Sequence, residues 1–194
     1  MNFLKRLYNW TLVKANHKNA KWYLSLISFA ESSFFPIPPD ILLIPMALAS
    51  KARALFYASI CTLFSVLGGI LGYAIGYFFY NSLGIYIVEF YQLENSFSIF
   101  ENYYKEFGIL IVLGAGITPF PYKFITIASG VFGLNIFLFI IISIIGRGLR
   151  FYLIAILLYF FGEKIKLIID KYFNILTIVF FILLVGSVFI IRFL

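Results

Sequence analysis

The chain has 194 residues, of which 63% are hydrophobic and 21% aromatic, while only 12% are charged; the mean hydropathy is +1.01. A soluble domain carries about 25% charged and 45–50% apolar residues, so a soluble enzyme, a nucleic-acid module and a disordered chain are excluded. The composition implies an integral membrane protein, in which the formal net charge of +7 marks cytoplasmic loops rather than a nucleic-acid partner.

Residues 1–21 carry Lys5, Arg6, Lys14, Lys18 and Lys21 and no acid. They read as a basic amphipathic segment on the inner membrane surface, with the N-terminus cytoplasmic and no cleavable signal peptide. The apolar stretch 22–50 contains Glu31, Asp40 and four of the six prolines, Pro36, Pro38, Pro39 and Pro45. Proline removes a helix hydrogen bond and clashes with the preceding turn, so this stretch cannot be one continuous helix. Broken backbone at membrane depth is tolerated where it is packed in protein or lines a wet cavity. The stretch is therefore expected to be a re-entrant hairpin with its tip at Pro36, Pro38 and Pro39, the alternative being a pair of kinked helices.

Residues 54–79 are charge-free and long enough to span. The connector 81–106 holds Glu89, Glu94, Glu101 and Glu106 against Lys105 alone, which places it outside. A second broken stretch, 108–135, has its tip at Pro119 and Pro121, followed by Lys123; it is expected to dip in from the outer side. A span over 136–161 carries Arg147 and Arg150, and the next loop, with Lys164, Lys166 and Lys171, is again basic. The stretch 172–192 reads as a final span. The basic segments all fall on one side only if 22–50 and 108–135 turn back. The expected fold is thus all-α: a polytopic membrane protein with two inverted re-entrant hairpins, each followed by a transmembrane helix, plus a C-terminal transmembrane helix. Residues 22–165 form one membrane domain.

Pro36-x-Pro38 and Pro119-x-Pro121 also suggest an internal repeat; at the same offset Asp40 falls on Lys123 and Ala47 on Gly130. Inverted repeats with broken helices meeting near the midplane are a recurrent transporter plan. Five charges lie within apolar stretches: Glu31, Asp40, Lys123, Arg147 and Arg150. Ionisable residues at membrane depth are costly and face a cavity or one another. Arg147 and Arg150, at i and i+3, share a helix face, and paired arginines can grip a phosphate through bidentate hydrogen bonds. Carboxylates withdrawn from water are candidate proton carriers. These five are the candidate substrate-binding and proton-coupling residues; the alternative is that they form Glu31–Arg and Asp40–Lys ion pairs that only hold the broken helices.

Catalytic and metal residues are not expected, and no cofactor is implied. His17, the single histidine, lies in the basic N-terminal segment, and Cys61 is a lone cysteine. The glycines from Gly68 to Gly76 read as small-residue helix packing, and Tyr73, Tyr77, Tyr80, Tyr103 and Tyr104 as an interfacial aromatic belt.

The run Glu31-Ser-Ser-Phe-Phe-Pro36-Ile-Pro38-Pro39-Asp40 resembles the acidic, proline-rich first hairpin of the DedA family, also described as the VTT or SNARE-associated domain. Thr118-Pro119-Phe120-Pro121-Tyr122-Lys123 is similar to its second hairpin, and Gly146-Arg147-Gly148-Leu149-Arg150-Phe151 to a stretch of its short, YqaA-like branch. The resemblance covers roughly residues 22–165. It implies two inverted re-entrant hairpins, a multi-pass protein of the bacterial inner (plasma) membrane, and a role in lipid traffic, relatives being lipid scramblases or carriers of polyprenyl phosphates. The chain departs from the main branch at Gly116, Tyr122 and Lys123, where arginines flank the second proline motif and only Lys123 keeps a positive charge.

The expected function is therefore a non-enzymatic lipid translocase or transporter. It would move an anionic head group, a phospholipid or polyprenyl phosphate, with protons as an optional coupling ion. Its partners are membrane lipids and no nucleic acid, and a homo-oligomer is compatible with everything above. The alternative is a membrane protein that supports envelope organisation without moving anything; a lipid-processing enzyme lacks a recognisable nucleophile–base set.

Overall fold

Two proline-bearing breaks divide the chain into helical arms. The computed structural model describes residues 19–34, 37–90, 94–118, 120–162 and 164. The basic segment 1–18, the expected span 172–192, Pro36 and Pro119 lie outside the described residues.

Helix α1 (Ala20–Ser33) stops at Phe34, and α2 (Asp40–Ala49) begins directly after Pro39. Proline suits that position because its φ is preset and no hydrogen-bonded N–H is required there. A 3-10 turn, Lys51–Arg53, feeds α3 (Ala54–Phe79). A π-helical turn, Tyr80–Gly84, continues into the short α4 (Ile85–Phe90). Helix α5 (Glu94–Ile117) ends at the second break, after which Pro121 precedes α6 (Tyr122–Val131). Gly133, with φ +64°, terminates α6: it supplies the left-handed residue that lets Leu134 N–H reach Ser129 O at 3.0 Å. Asn135 then caps α7 (Ile136–Gly162), its side-chain oxygen accepting from the N–H groups of Phe137 and Leu138. Among the described residues there is no strand.

The expected span 54–79 coincides with α3, and 136–161 with α7 to within one residue. The connector 81–106 is more ordered than the sequence reading allowed. Helix α5 begins inside it, at Glu94 rather than near 108, with Glu101 and Lys105 paired at i, i+4 and 2.7 Å along its exposed face.

Helix α3 is the axis on which the arms pack, and glycine allows the contact. A Cβ on Gly68 would stand 2.0 Å from Phe29 O of α1, and one on Gly76 would stand 2.0 Å from Ile127 O of α6. Backbone meets backbone at these crossings, as in small-residue packing between membrane helices. Helix α1 runs alongside α3, with Ala20 and Leu24 near Ala54 and Ala58, and Ser33 Oγ donating to Gly68 O at 2.9 Å. Helix α2 turns back to the starting end, where Leu48 reaches Gly162 at the end of α7. The opposite pair mirrors this. Helix α5 descends from Tyr104, beside Ser129, to Gly116, which abuts Gly146; α6 then climbs to Gly130, against Tyr73.

Two apolar cores result. One gathers Leu24, Leu43, Met46, Cys61, Phe151 and Ala155; the other gathers Val112, Tyr122 and Phe139. Helix α7 and the segment Lys51–Phe79 are long and apolar enough to cross a membrane, and only 28% of the most apolar stretch of α7 is buried. Its outward Phe137, Ile141, Leu149, Leu153 and Phe160 are exposed, a surface suited to lipid rather than to water.

Candidate functional site

Between the two cores lies a polar layer built on α7. Arg147 is only 2% exposed, so every donor it can place matters. Its Nη2 meets Glu31 Oε2 at 2.5 Å, and its Nε donates to Ser65 Oγ at 2.6 Å. Ser32 Oγ donates to the same Glu31 oxygen at 3.1 Å and lies 2.6 Å from Ser65 Oγ. Because the Ser32 proton goes to Glu31, Ser65 must donate to Ser32, and the four side chains close a ring of hydrogen bonds. The guanidinium carbon also lies over two aromatic rings, those of Tyr122 at 4.9 Å and Phe151 at 4.7 Å from their centroids. The α1–α3 glycine crossing sets this geometry, since it brings Ser32 and Glu31 to the level of Ser65. Tyr122 is held by its hydroxyl, 2.6 Å from Ser143 Oγ.

One turn further along α7, Arg150 connects the two breaks. Its Nη2 pairs with Asp40 Oδ2 at the first residue of α2, and its Nη1 donates to Thr118 O just past the end of α5. A cation suits that carbonyl, which lies at the negative end of the α5 dipole. This pair is less enclosed than the first, with side-chain exposures of 13% for Arg150 and 16% for Asp40. It is also incomplete: Asp40 Oδ1 and Arg150 Nε are buried with no hydrogen-bond partner among the described residues. A third link ties α6 to α1, where Thr126 Oγ1 donates to Ser32 O at 2.9 Å.

Four of the five charges singled out in the sequence, Glu31, Asp40, Arg147 and Arg150, thus meet at the two breaks. Lys123 does not join them. It sits half-buried at the start of α6 with Nζ over the Phe124 ring at 5.4 Å, and the Asp40–Lys pair of the alternative reading does not form, since Asp40 pairs with Arg150. The reason is helical: Tyr122 takes the inward position against Arg147, so its neighbour points elsewhere. Of the proline tips, Pro39 is fully buried, Pro38 is half-buried, and Pro121 precedes α6 in an extended conformation. Tyr104, expected in an interfacial belt, is buried and bonded to Ser129.

Sequence reading missed Ser32, Ser65, Thr118 and Tyr122. Serine at i and a glycine series three residues on carry no signal that the two will face an arginine from another helix. At Gly116 a Cβ would come within 3.1 Å of Gly146 Cα, so a side chain there would press on α7.

No family model and no solved structure matches the chain. It is 37% identical over 164 residues to a Haemophilus influenzae protein described as "Uncharacterized protein", covering 84% of this chain and 85% of that one. It is 36% identical over 165 residues to "Uncharacterized protein HI0703 homolog" of Histophilus somni, with the same shares covered. At that identity and coverage, the chain belongs to the family these two proteins represent.

Proposed function

We propose that the chain is a multi-pass inner-membrane protein of the DedA type that moves an anionic lipid head group across the bilayer without chemical conversion. In this reading α1–α2 and α5–α6 are re-entrant hairpins entering from opposite faces, α3 and α7 span, and the basic N-terminus is cytoplasmic. The observation that supports it is the meeting of both chain breaks at Arg147 and Arg150, with their carboxylate partners, on one of the two helices long and apolar enough to cross a membrane. Charges at such depth are expensive unless they serve a path or a partner. Helices α2 and α6 both begin at this level, so their positive ends add to the attraction for a phosphate. Glu31 and Asp40 balance the arginines when no substrate is present, and they are the groups through which protons would couple.

Lipid flip in vesicles tests the proposal. The full chain reconstituted into phospholipid vesicles should bring a fluorescent phosphatidylglycerol or a short polyprenyl phosphate to the outer leaflet faster than protein-free vesicles do. Identical rates for both lipids with and without correctly folded protein would reject translocation and favour the non-transporting alternative, which the closed Glu31–Arg147 ring by itself would fit.

A further inference from the structure

The two arginine–carboxylate pairs are not equivalent, and the difference assigns them different tasks. Around Arg147 the Nε–Nη2 edge is fully used, by Ser65 and Glu31, and the guanidinium carbon lies over two aromatic rings. Around Arg150 the same edge is half used. Asp40 engages Nη2 through one oxygen, leaving Arg150 Nε and Asp40 Oδ1 buried and without a hydrogen-bond partner among the described residues. That edge of a guanidinium offers two parallel N–H donors that suit two oxygens on one central atom. A buried donor and a buried acceptor left unpaired both weigh against the closed state. A phosphate ester has two non-bridging oxygens to give to Nε and Nη2 together, which Asp40 does not do in this geometry. Both side chains also retain some exposure, whereas Arg147 has almost none.

We infer that Asp40 is a tethered competitor for the phosphate group that Arg150 receives: substrate enters by displacing Asp40 from Arg150, while the Glu31–Arg147 ring stays closed. The inference rests on the lipid head-group reading and deepens it. Its structural consequence is specific. Arg150 also holds Thr118 O, so the Asp40–Arg150 contact fastens the start of α2 to the end of α5. Displacing Asp40 unfastens the two breaks from each other at the moment the head group arrives, which ties binding to opening.

Binding to the full chain in detergent tests it, with dihexanoyl phosphatidate and inorganic phosphate as separate probes in isothermal titration calorimetry. Asp40→Asn should bind dihexanoyl phosphatidate about tenfold more tightly than wild type, and the further change Arg150→Ala should remove the gain. A second readout needs no variant at this position. The chain has two aspartates, Asp40 and Asp170, so carboxyl-labelled aspartate gives two carbon signals, assigned with Asp170→Asn. Saturating dihexanoyl phosphatidate should move the Asp40 signal in otherwise wild-type protein. Wild-type binding with an unmoved Asp40 signal, or equal or weaker binding by Asp40→Asn, would overturn the competitor role and leave the translocase reading intact. A gain confined to inorganic phosphate would support the competitor role but turn the site to a soluble anion. Absence of binding by both proteins would overturn both readings.

Discussion

At the scale of single residues, Arg147 is where stability and function separate. Taking one partner out of a buried ion pair leaves an uncompensated charge and costs about 3–5 kcal/mol, whereas replacing both with apolar side chains of similar size is close to neutral. Glu31→Ala should therefore lower the unfolding midpoint of the detergent-solubilised protein sharply, and Glu31→Leu with Arg147→Met should restore most of it. A double variant as unstable as the single one would show that the ring does more than neutralise charge. Asp40→Asn should be far milder in the same measurement, because the Asp40–Arg150 contact is half made and partly exposed.

At the scale of elements, the glycines of α3 decide how deeply the broken arms seat. Gly76→Ala places a methyl carbon where Ile127 O now lies, 2.0 Å away, and the backbone cannot yield as a side chain would. Overpacking of this kind costs about 1–3 kcal/mol, so thermal unfolding of Gly76→Ala should move down by several degrees. Gly114→Ala, which meets nothing within 4 Å, should leave it unchanged; equal midpoints for all three proteins would refute close α3–α6 packing. This level was largely legible in the sequence. The charge-free run set α3 at Ala54–Phe79, and the prolines marked both breaks, because helix length and proline chemistry are local properties. The start of α5 was not legible, since its polar first half, Glu94 to Glu106, looks like a loop when hydropathy is the guide. Nor was the partner of Asp40. Which arginine a carboxylate reaches depends on helix rotation and crossing depth, and those come from the Gly68 and Gly76 contacts with distant backbone.

At the scale of the whole molecule, two helical arms approach from opposite ends of α3 and α7 and stop at the same level, that of Arg147 and Arg150. The membrane orientation proposed for this plan is open to test by thiol labelling. Cys61 is buried and should stay silent. Ser98→Cys on α5 should react with a membrane-impermeant maleimide in intact cells, and Ala52→Cys, before α3, should react only after permeabilisation. Labelling of both from outside would contradict two inverted re-entrant hairpins.

In the proposed translocation, Arg150 receives a lipid phosphate on its way across. The flip rate of fluorescent phosphatidylglycerol in vesicles holding Arg150→Ala tests it most directly, because the Glu31–Arg147 ring remains to hold the fold. Loss of a charged hydrogen bond in the rate-limiting state predicts a fall of about ten- to a hundredfold toward the protein-free rate. A folded Arg150→Ala protein that flips lipid as fast as wild type would contradict it.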